Sequence, residues 1–213
     1  MPRWIPEQKW MGEDVFIIGG GESLRSFQWD LLRDELTIGC NTAFKLGHEV
    51  CKLCVFGDYA WFKEFKSELS QYKGVVFTNV PQLQKSNLPW LWIMGREARG
   101  LHKIALGWNN NTGASAINLA LILGAKRVYL LGFDMKELKG KCNWHDAYKK
   151  PNPSVYKSKF LSTFGHIKSD LEKKFAGCEI INVTDDSDLD IFPKVSAKQF
   201  WSKRHGKNYK CCG

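Results

Sequence analysis

The chain has 213 residues, of which 44% are hydrophobic and 25% charged, a composition typical of one soluble α/β domain, without enough length for a second large one. Its apolar stretches are shorter than the ~20 residues of a membrane-spanning helix, and its first residues do not resemble a signal peptide. Its seven irregularly spaced cysteines indicate reduced thiols. We therefore expect a cytoplasmic protein without a membrane partner. The net charge of +9 is compatible with a polyanionic partner.

The sequence divides into three parts by composition. Residues 1–13 place two tryptophans among prolines and charged residues, and we interpret them as an N-terminal arm that packs against the domain. Residues 14–193 alternate apolar runs with helical patterns, which predicts a single nucleotide-binding α/β domain. Residues 194–213 carry six positive charges and no acid, and we interpret them as a basic C-terminal tail.

The domain begins with an apolar run closed by glycines. Residues 15–18 predict a buried parallel strand, and Gly19, Gly20 and Gly21 follow at once. Glycines can adopt positive φ and expose backbone amides to an anion, and Ser23 stands where a helix would begin. A strand, a glycine turn and a helix N-terminus together are typical of nucleotide-phosphate binding, although a tight turn without a ligand fits the same residues.

Two further strands end on polar residues. Residues 36–40 are followed by Asn41, and residues 54–56 are followed by Gly57 and Asp58. Because open α/β sheets bind ligands beyond the carboxyl ends of their strands, Asn41 and Asp58 are candidate ligand-binding residues. Apolar residues at helical spacing then predict an amphipathic helix over residues 61–69.

A fourth strand is predicted at residues 74–78, and an irregular segment continues to residue 108. This segment is rich in tryptophan and arginine and is long for a connection inside a compact domain. Insertions of this kind are usually functional or disordered, and the tryptophans favour packing.

The next predicted element is a helix over residues 111–124 that is dense in small and apolar residues. Such a helix must be buried on most of its surface, and Gly124 is suited to end it. Its first turn, with Thr112, Gly113 and Ser115, supplies a second helix N-terminus that can bind phosphate.

A fifth strand at residues 128–131 ends on Gly132, Phe133 and Asp134. A basic stretch containing NWHD follows, a helical pattern covers residues 155–175, and residues 178–181 predict a sixth strand.

The positive charge is concentrated in residues 136–159 and 194–213, beside aromatic side chains. Lysines suit phosphates and aromatic rings suit bases, so DNA is a candidate partner. A solvated loop and a solubilising tail explain the same pattern, and both interpretations stay open. The candidate nucleic-acid residues are Trp144, Lys149, Lys150, Lys203 and Arg204.

The order of these motifs, GGGESL, CNTAF, VFGD, NTGASAINLALILGAKRVYLLGFDM and NWHD, resembles the sialyltransferase-like superfamily of bacterial lipooligosaccharide enzymes. It is also similar to phage-borne relatives that share a domain with archaeal hydroxymethylpterin diphosphokinases. The resemblance covers residues 14–193. It implies a three-layer α/β/α Rossmann-like domain with a mostly parallel sheet, in the glycosyltransferase-A-like variant, that uses a cytidine-type nucleotide sugar without a metal.

The resemblance also implies which residues bind the nucleotide. One group follows the first strands, and the other lies at the start of the small-residue helix and approaches the nucleotide from the opposite side. The implied nucleotide-binding residues are Gly19, Gly20, Gly21, Ser23, Asn41, Asp58, Thr112, Gly113, Ala114 and Ser115.

The chain departs from the family pattern at three positions. The sialyltransferases carry asparagine at the position of Gly20, proline at that of Glu22 and a second asparagine at that of Asp58. A carboxylate at Glu22 or Asp58 repels phosphate unless a cation lies between them. The identity of the donor sugar and the need for a metal therefore stay open, and no metal site is assigned.

The family's catalytic histidine lies between its last strands, where this chain has His145 and His166. We favour His145 as general base because Trp144 and Asp146 flank it. Asp146 or Asp134 is then expected to fix the tautomer of the His145 ring.

The leading hypothesis is a glycosyltransferase that moves a sugar from a nucleotide-sugar donor to a hydroxyl, with hydroxymethylated DNA as one candidate acceptor. A second hypothesis is a pyrophosphokinase acting on a pterin-like alcohol, with Asp58 or Asp134 binding Mg²⁺. A third is a nucleotide- or DNA-binding accessory protein without catalytic activity.

Overall fold

The computed structural model describes residues 9–147, 154 and 156–206. In this part of the chain no helix has the length and apolar character needed to cross a membrane. The strands are β1 (Asp14–Ile18), β2 (Leu36–Cys40), β3 (Leu53–Phe56), β4 (Val75–Thr78), β5 (Leu91–Ile93), β6 (Gly95–Glu97), β7 (Ala105–Gly107), β8 (Arg127–Leu131) and β9 (Glu179–Asn182). The α-helices are α1 (Tyr59–Ser70), α2 (Thr112–Ile122), α3 (Ser162–Lys174) and α4 (Ala197–His205).

Seven strands form one sheet in the order β5-β4-β3-β2-β1-β8-β9, and every neighbouring pair is parallel. From β1 the chain builds outward to β5 and then returns to place β8 on the other side of β1. The direction of the winding therefore reverses between β1 and β8, and such a switch point opens a crevice beyond the carboxyl ends of the two strands. The predicted Rossmann-like α/β fold is confirmed.

Helices cover both faces of the sheet. Val15 and Ile17 of β1 contribute to a core shared with α2 and α3, while Phe16 and Ile18 contribute to a core shared with α1 and α4. Alternating residues of a strand point to opposite faces, so a strand with both sets buried requires a layer on each side. The predicted three-layer α/β/α arrangement is confirmed.

All six strands predicted from apolar runs are present, and the differences lie in residues 79–108. This segment contains the edge strand β5 and a separate parallel pair, β6 and β7. Each of these strands has only three residues, too few to show a periodic apolar pattern. Contacts with the rest of the domain therefore determine the structure of residues 79–108, which their own sequence pattern does not predict.

Buried asparagines outside these strands fix that segment. The Asn118 side chain, fully buried in α2, accepts the amide protons of His102 and Gly107 and donates to the His102 carbonyl. The Asn109 side chain likewise accepts from the Gly100 amide at 2.7 Å and donates to its carbonyl. Buried backbone groups need partners, and these two side chains supply them where no regular ladder exists.

The described end of the N-terminal arm packs against the end of α2. The Trp10 amide donates to the Leu123 carbonyl at 2.8 Å, and the Gly12 amide donates to the Gly124 carbonyl at 2.9 Å. The Trp10 side chain is partly buried against the core.

The basic C-terminal segment differs from the predicted tail. Its residues 197–205 form α4, whose Trp201 side chain is 0% exposed and stacks on Phe16 with ring centroids 5.5 Å apart. Arg204 lies over the Phe16 ring and forms ion pairs with Glu35 at 2.6 Å and Asp14 at 3.0 Å. Arg204 therefore neutralises acids of the domain, and its role in nucleic-acid binding stays a prediction.

We expect Trp201→Ala to lower the free energy of unfolding by about 3–5 kcal/mol, because it leaves a large cavity over β1. Urea unfolding followed by circular dichroism measures this loss. Lys203→Ala, an exposed position on the same helix, is the control and should change stability by less than about 0.5 kcal/mol. Equal stability of the two variants would contradict the role of α4 as part of the core.

Candidate active site

A cavity of about 560 Å³ lies beyond the carboxyl ends of β1, β2 and β8, at the switch point of the sheet. The start of α2 closes one side of it, and the segment after β8 closes another. It is lined by Gly19, Gly20, Gly21, Cys40, Asn41, Asp58, Trp61, Trp108, Asn110, Asn111, Thr112, Gly113, Gly132, Phe133, Asp134, Met135, Lys136, Cys142, Asn143, His145, Tyr156 and Phe160.

The glycine turn is present for close packing rather than for positive φ. None of its three glycines has a positive φ. A Cβ at Gly19 would lie 2.6 Å from the Gly132 carbonyl oxygen, and one at Gly21 would lie 2.4 Å from the Asp134 carboxyl carbon. The Gly19 and Gly21 amides donate to the carbonyls of Leu131 and Gly132. These two amides extend the β1–β8 pairing, so they are not directed at an anion as the sequence predicted.

Ser23 and Asp134 join the ends of β1 and β8. The Asp134 carboxylate accepts the Ser23 amide proton at 2.9 Å and the Ser23 hydroxyl proton at 2.5 Å. Asp134 is 1% exposed, and burial raises its pKa while the bonds from Ser23 act in the opposite direction. Ser23 lies in a single 3₁₀ turn, Glu22–Leu24, so the expected α-helix N-terminus is absent at this point.

Asn41 carries the strongest sign of a ligand. It has a left-handed backbone, with φ of 53°, immediately after β2. Its Oδ1 atom is buried and has no hydrogen-bond partner among the described residues, and the residue lines the cavity. Trp61, 7% exposed, also lines the cavity and has an unpaired buried indole N–H. Unpaired buried polar atoms are costly, and a bound polar group is one way in which they are satisfied.

The first turn of α2 contributes only part of its predicted set. Thr112 and Gly113 line the cavity, and the Asn111 side chain caps the helix by accepting the Gly113 amide proton at 2.8 Å. The Ser115 hydroxyl, by contrast, donates to the Gly107 carbonyl, and Ala114 is fully buried in the core. Ser115 and Ala114 therefore stabilise the start of α2 through contacts within the domain and do not line the cavity.

Asp58 has a structural partner as well as a place at the cavity. Its carboxylate accepts the Trp61 amide proton at 2.9 Å and so caps the N-terminus of α1. Asp58 is exposed at the mouth of the cavity. The helix N-terminus stabilises this anion, which offsets part of its repulsion of a phosphate.

Trp108 lines the cavity and was not among the predicted site residues. Its ring occupies the space that a Cβ at Gly57 would need, and the Arg96 guanidinium lies 4.2 Å from the ring centroid. Arg96 also donates to the Gly57 carbonyl, and burial lowers the pKa of Arg96. This arrangement is a rigid aromatic wall suited to a planar base. Its only sequence signal was a tryptophan and an arginine within the long irregular segment.

His145 faces the cavity from the segment after β8. Its Nε2 lies 2.6 Å from the Thr42 hydroxyl oxygen, and the Ala147 amide donates to its Nδ1 at 3.3 Å. Burial lowers the pKa of His145 to about 4, so the ring is neutral at pH 7. Because the Ala147 amide donates to Nδ1, the ring proton is on Nε2 and Nδ1 holds the lone pair.

The carboxylates expected to orient His145 have other partners. Both Asp134 oxygens accept from Ser23. The Asp146 side chain is 89% exposed and lies 3.5 Å from Arg25. Thr42 and Ala147 therefore contact the two ring nitrogens of His145, where Asp146 or Asp134 was expected. Thr42 had no signal in the sequence beyond its place after β2.

Trp144 anchors the histidine segment to the glycine turn. Its amide donates to the Gly20 carbonyl and its indole N–H donates to the Gly19 carbonyl, both at 3.1 Å. Its ring packs against Trp29 with centroids 5.1 Å apart. Trp144 thus has a packing role that the proposed stacking on a DNA base did not anticipate.

The other candidate nucleic-acid residues lie partly outside the part of the chain that the structure describes. Lys149 and Lys150 lie outside the described residues, and Lys203 is exposed on α4.

Lys136 and Tyr156 line the cavity and carry groups that bind phosphate oxygens. The sequence predicted a lysine or tyrosine of residues 139–157 for this role, which includes Tyr156 but not Lys136. Lys136 pairs with Asp186 and with Asp188 at 3.2 Å, which holds its ammonium in place. Burial raises the pKa of Tyr156, so its phenol stays protonated and donates to the Cys142 carbonyl at 3.4 Å. Such a long bond is readily exchanged for a ligand oxygen.

The described ranges contain no group of three or more His, Cys, Asp or Glu side chains arranged to hold a metal ion. Asp58 and Asp134, the residues considered for Mg²⁺, are bonded to Trp61 and Ser23 respectively. His166, the other histidine considered as base, lies on α3 and lines a separate cavity.

No protein-family model matches the chain, and no curated protein matches it in sequence. Among solved structures, it is similar to the sialyltransferase CstII from Campylobacter jejuni, in complex with the substrate analogue cytidine-5'-monophosphate (CMP). The TM-score is 0.58 at 16% sequence identity, over 87% of this chain and 85% of that one. A structure of CST-II with a trisaccharide acceptor and CMP gives a TM-score of 0.52 at 16% identity, over 86% of each chain. This likeness shows a sialyltransferase-like fold.

We expect Gly21→Ala to break the Ser23–Asp134 contact. The backbone of Gly21, with φ of −64° and ψ of 150°, suits alanine, so the effect comes only from the overlap with Asp134. Urea unfolding should show a loss of about 1–3 kcal/mol. Gly165→Ala in α3, where a Cβ meets nothing within 4 Å, is the control and should be neutral or slightly stabilising. An undisturbed Gly21→Ala protein would refute the close-packing role.

We expect His145 to titrate with a pKa of about 4 in the folded protein, against about 6.5 in the urea-unfolded chain. Two-dimensional NMR of the imidazole C–H groups measures both values, with assignment from a His145→Gln variant. Since the unfolded chain binds this proton more tightly, the contribution of His145 to stability is complete above the unfolded pKa and declines as the pH falls toward 4. A folded-state pKa near 6.5 would show that the ring is solvated.

Proposed function

We propose that the protein is a glycosyltransferase that transfers a sugar from a nucleotide-sugar donor to an acceptor hydroxyl. The observation that carries this proposal is the unpaired Oδ1 of Asn41, held by a left-handed backbone in a cavity at the switch point of the sheet. The volume of about 560 Å³ suits a nucleotide-sized ligand. The sialyltransferase neighbours, which share this fold, were solved with CMP.

The donor is proposed to lie between the glycine turn and the start of α2. Asn41 Oδ1 and the Trp61 indole N–H, an acceptor and a donor, suit the hydroxyls of a ribose or the edge of a base. The N-terminus of α2 suits the phosphate because the helix dipole favours an anion there, while the Gly113 amide itself is bonded to the Asn111 side chain. Trp108 offers its ring to the base. The proposed donor is a cytidine-type nucleotide sugar, and the metal requirement is left to experiment.

The transfer forms one bond and breaks another. The acceptor oxygen attacks the anomeric carbon of the sugar, the bond from that carbon to the phosphate oxygen breaks, and the electron pair leaves on the nucleotide phosphate. Lys136 and Tyr156 are proposed to stabilise the negative charge that develops on this leaving group. The acceptor hydroxyl loses its proton to His145 Nδ1, which releases the Ala147 amide as it does so.

A pKa of about 4 makes the free His145 a weak base at neutral pH. An anionic donor in the same cavity favours the imidazolium form and so raises the His145 pKa toward the working pH. The base strength of His145 is then coupled to donor binding.

The family resemblance further suggests a phage-borne enzyme that modifies DNA, and hydroxymethylated DNA is proposed as one acceptor to be tested. Of the residues expected to bind DNA, Arg204 is paired with acids of the domain and Trp144 packs against Trp29, and their contact with DNA stays a prediction.

The decisive test is incubation with a panel of nucleotide sugars or ATP, with and without Mg²⁺, together with oligosaccharide, hydroxymethylated DNA or a pterin alcohol. We expect a glycosylated product and a released nucleotide by mass spectrometry. His145→Gln should cut turnover by about 10²–10⁴-fold with donor affinity nearly intact. His48→Gln, an exposed histidine paired with Glu49, is the matched control.

A diphosphorylated product that requires Mg²⁺ would identify a pyrophosphokinase instead. Nucleotide or DNA binding without turnover for any donor would identify an accessory protein. Normal turnover of His145→Gln would remove this residue from the mechanism.

A further inference from the structure

A second cavity of about 310 Å³ adjoins the first and has a different chemistry. It lies where the start of α3 meets the loop that follows β6, and it is lined in part by Arg99, Lys159 and His166. Among its described lining residues there is no aspartate or glutamate. Asp170, one helical turn beyond His166 on α3, is bonded to the Leu101 amide and paired with Lys174. Arg99 and Lys159 are permanent cations, and together with His166 they favour an anion in this cavity.

The two cavities share a wall. Residues Tyr156–Leu161 form a π-helix, a rare geometry that is frequent at functional sites. Tyr156 and Phe160 of this segment line the first cavity, while Ser158 and Lys159 line the second. A ligand in either cavity therefore contacts the same π-helical segment.

Asn110 stands at the boundary and lines both cavities. Its backbone is left-handed, with φ of 51°, which is uncommon for a residue with a side chain and signals a constrained position. Because Asn110 lines both cavities, a single ligand that passes it can place one group in each of them.

The hydroxyls of the second cavity hold its wall in shape. The Thr163 hydroxyl donates to the Phe160 carbonyl at 2.7 Å, and the Ser162 hydroxyl donates to the Ser158 carbonyl at 3.4 Å. These protons are used within the π-helical segment. An anion in this cavity would therefore be bound by Arg99, Lys159 and His166 together with the amide of Asn110.

We propose that this second cavity is the subsite for an anionic group, a phosphate or a carboxylate, carried by the acceptor. The proposal rests on the proposed function, in which the first cavity holds the donor. The acceptor places its charged group between Arg99 and Lys159 and extends its reacting hydroxyl past Asn110 toward His145. The first cavity has its own cation, Lys136, for the phosphate of the donor, so the second set of cations is free to select the acceptor.

The test compares two probes that differ by one anionic group, galactose 6-phosphate and galactose. Each is titrated into the full chain in the presence of saturating CMP, and binding is followed by ligand-observed NMR. We expect galactose 6-phosphate to bind at least about tenfold more tightly than galactose, as charge-assisted hydrogen bonds require. The double variant Arg99→Gln, Lys159→Gln should remove this preference.

Lys168→Gln is the matched control, because Lys168 is an exposed lysine of α3 that does not line the cavity. It should leave the preference unchanged. Equal affinity of the wild-type chain for the two sugars, or a preference that survives the double variant, would overturn the proposal. Tight binding of inorganic phosphate alone, without a gain from the sugar, would show a simple anion site and would also overturn it.

Two further arms separate this proposal from its alternatives. If the second cavity instead bound a second phosphate of the donor, the double variant would weaken CDP more than CMP, and this outcome would reassign the site to the donor. The galactose 6-phosphate titration is repeated without CMP. If CMP does not bind, the proposed donor function fails, whereas the repeated titration still reports on the anionic subsite.

Discussion

The contact between Ser23 and Asp134 is the constraint on which the candidate site depends. A buried carboxylate is tolerated only when its oxygens are hydrogen-bonded, and both protons that Ser23 can offer from its amide and hydroxyl go to Asp134. The contact requires glycine at position 21, because any Cβ there would overlap the carboxylate. β1 and β8, between which the direction of the winding reverses, are thereby joined immediately beyond their carboxyl ends.

Everything else in the site is attached to this junction. The segment after β8 is bonded back to the glycine turn through Trp144, and this placement brings His145 to Thr42 at the end of β2. The start of α2 and the π-helical segment before α3 complete the walls. The glycines thus act as structural residues of the junction, while the ligand-binding capacity lies around them, at Asn41, Trp61 and the N-terminus of α2.

Local sequence patterns predicted the elements that are buried along most of their own length. The apolar runs of β1 and β2 and the small-residue helix α2 are examples, and Asn41 followed from its place after a strand. Partners far apart in sequence could not be predicted. Asn118 orders a loop through hydrogen bonds, α4 is buried through Trp201, and His145 is oriented by Thr42. In each case the residue is polar or lies in a basic segment, and only the tertiary contact shows its role.

The packing of α4 on β1 has a consequence for synthesis of the chain. Arg204 and Asp14 form an ion pair across 190 positions of sequence, and Trp201 covers Phe16, the central apolar residue of the first strand. While the later strands are still being made, Phe16 lacks both the Tyr129 ring of β8 and the Trp201 ring of α4, which stack on it in the folded domain. The nascent chain therefore exposes an aromatic surface on this face of β1 until α4 emerges, and exposed apolar surface of this kind favours aggregation during synthesis.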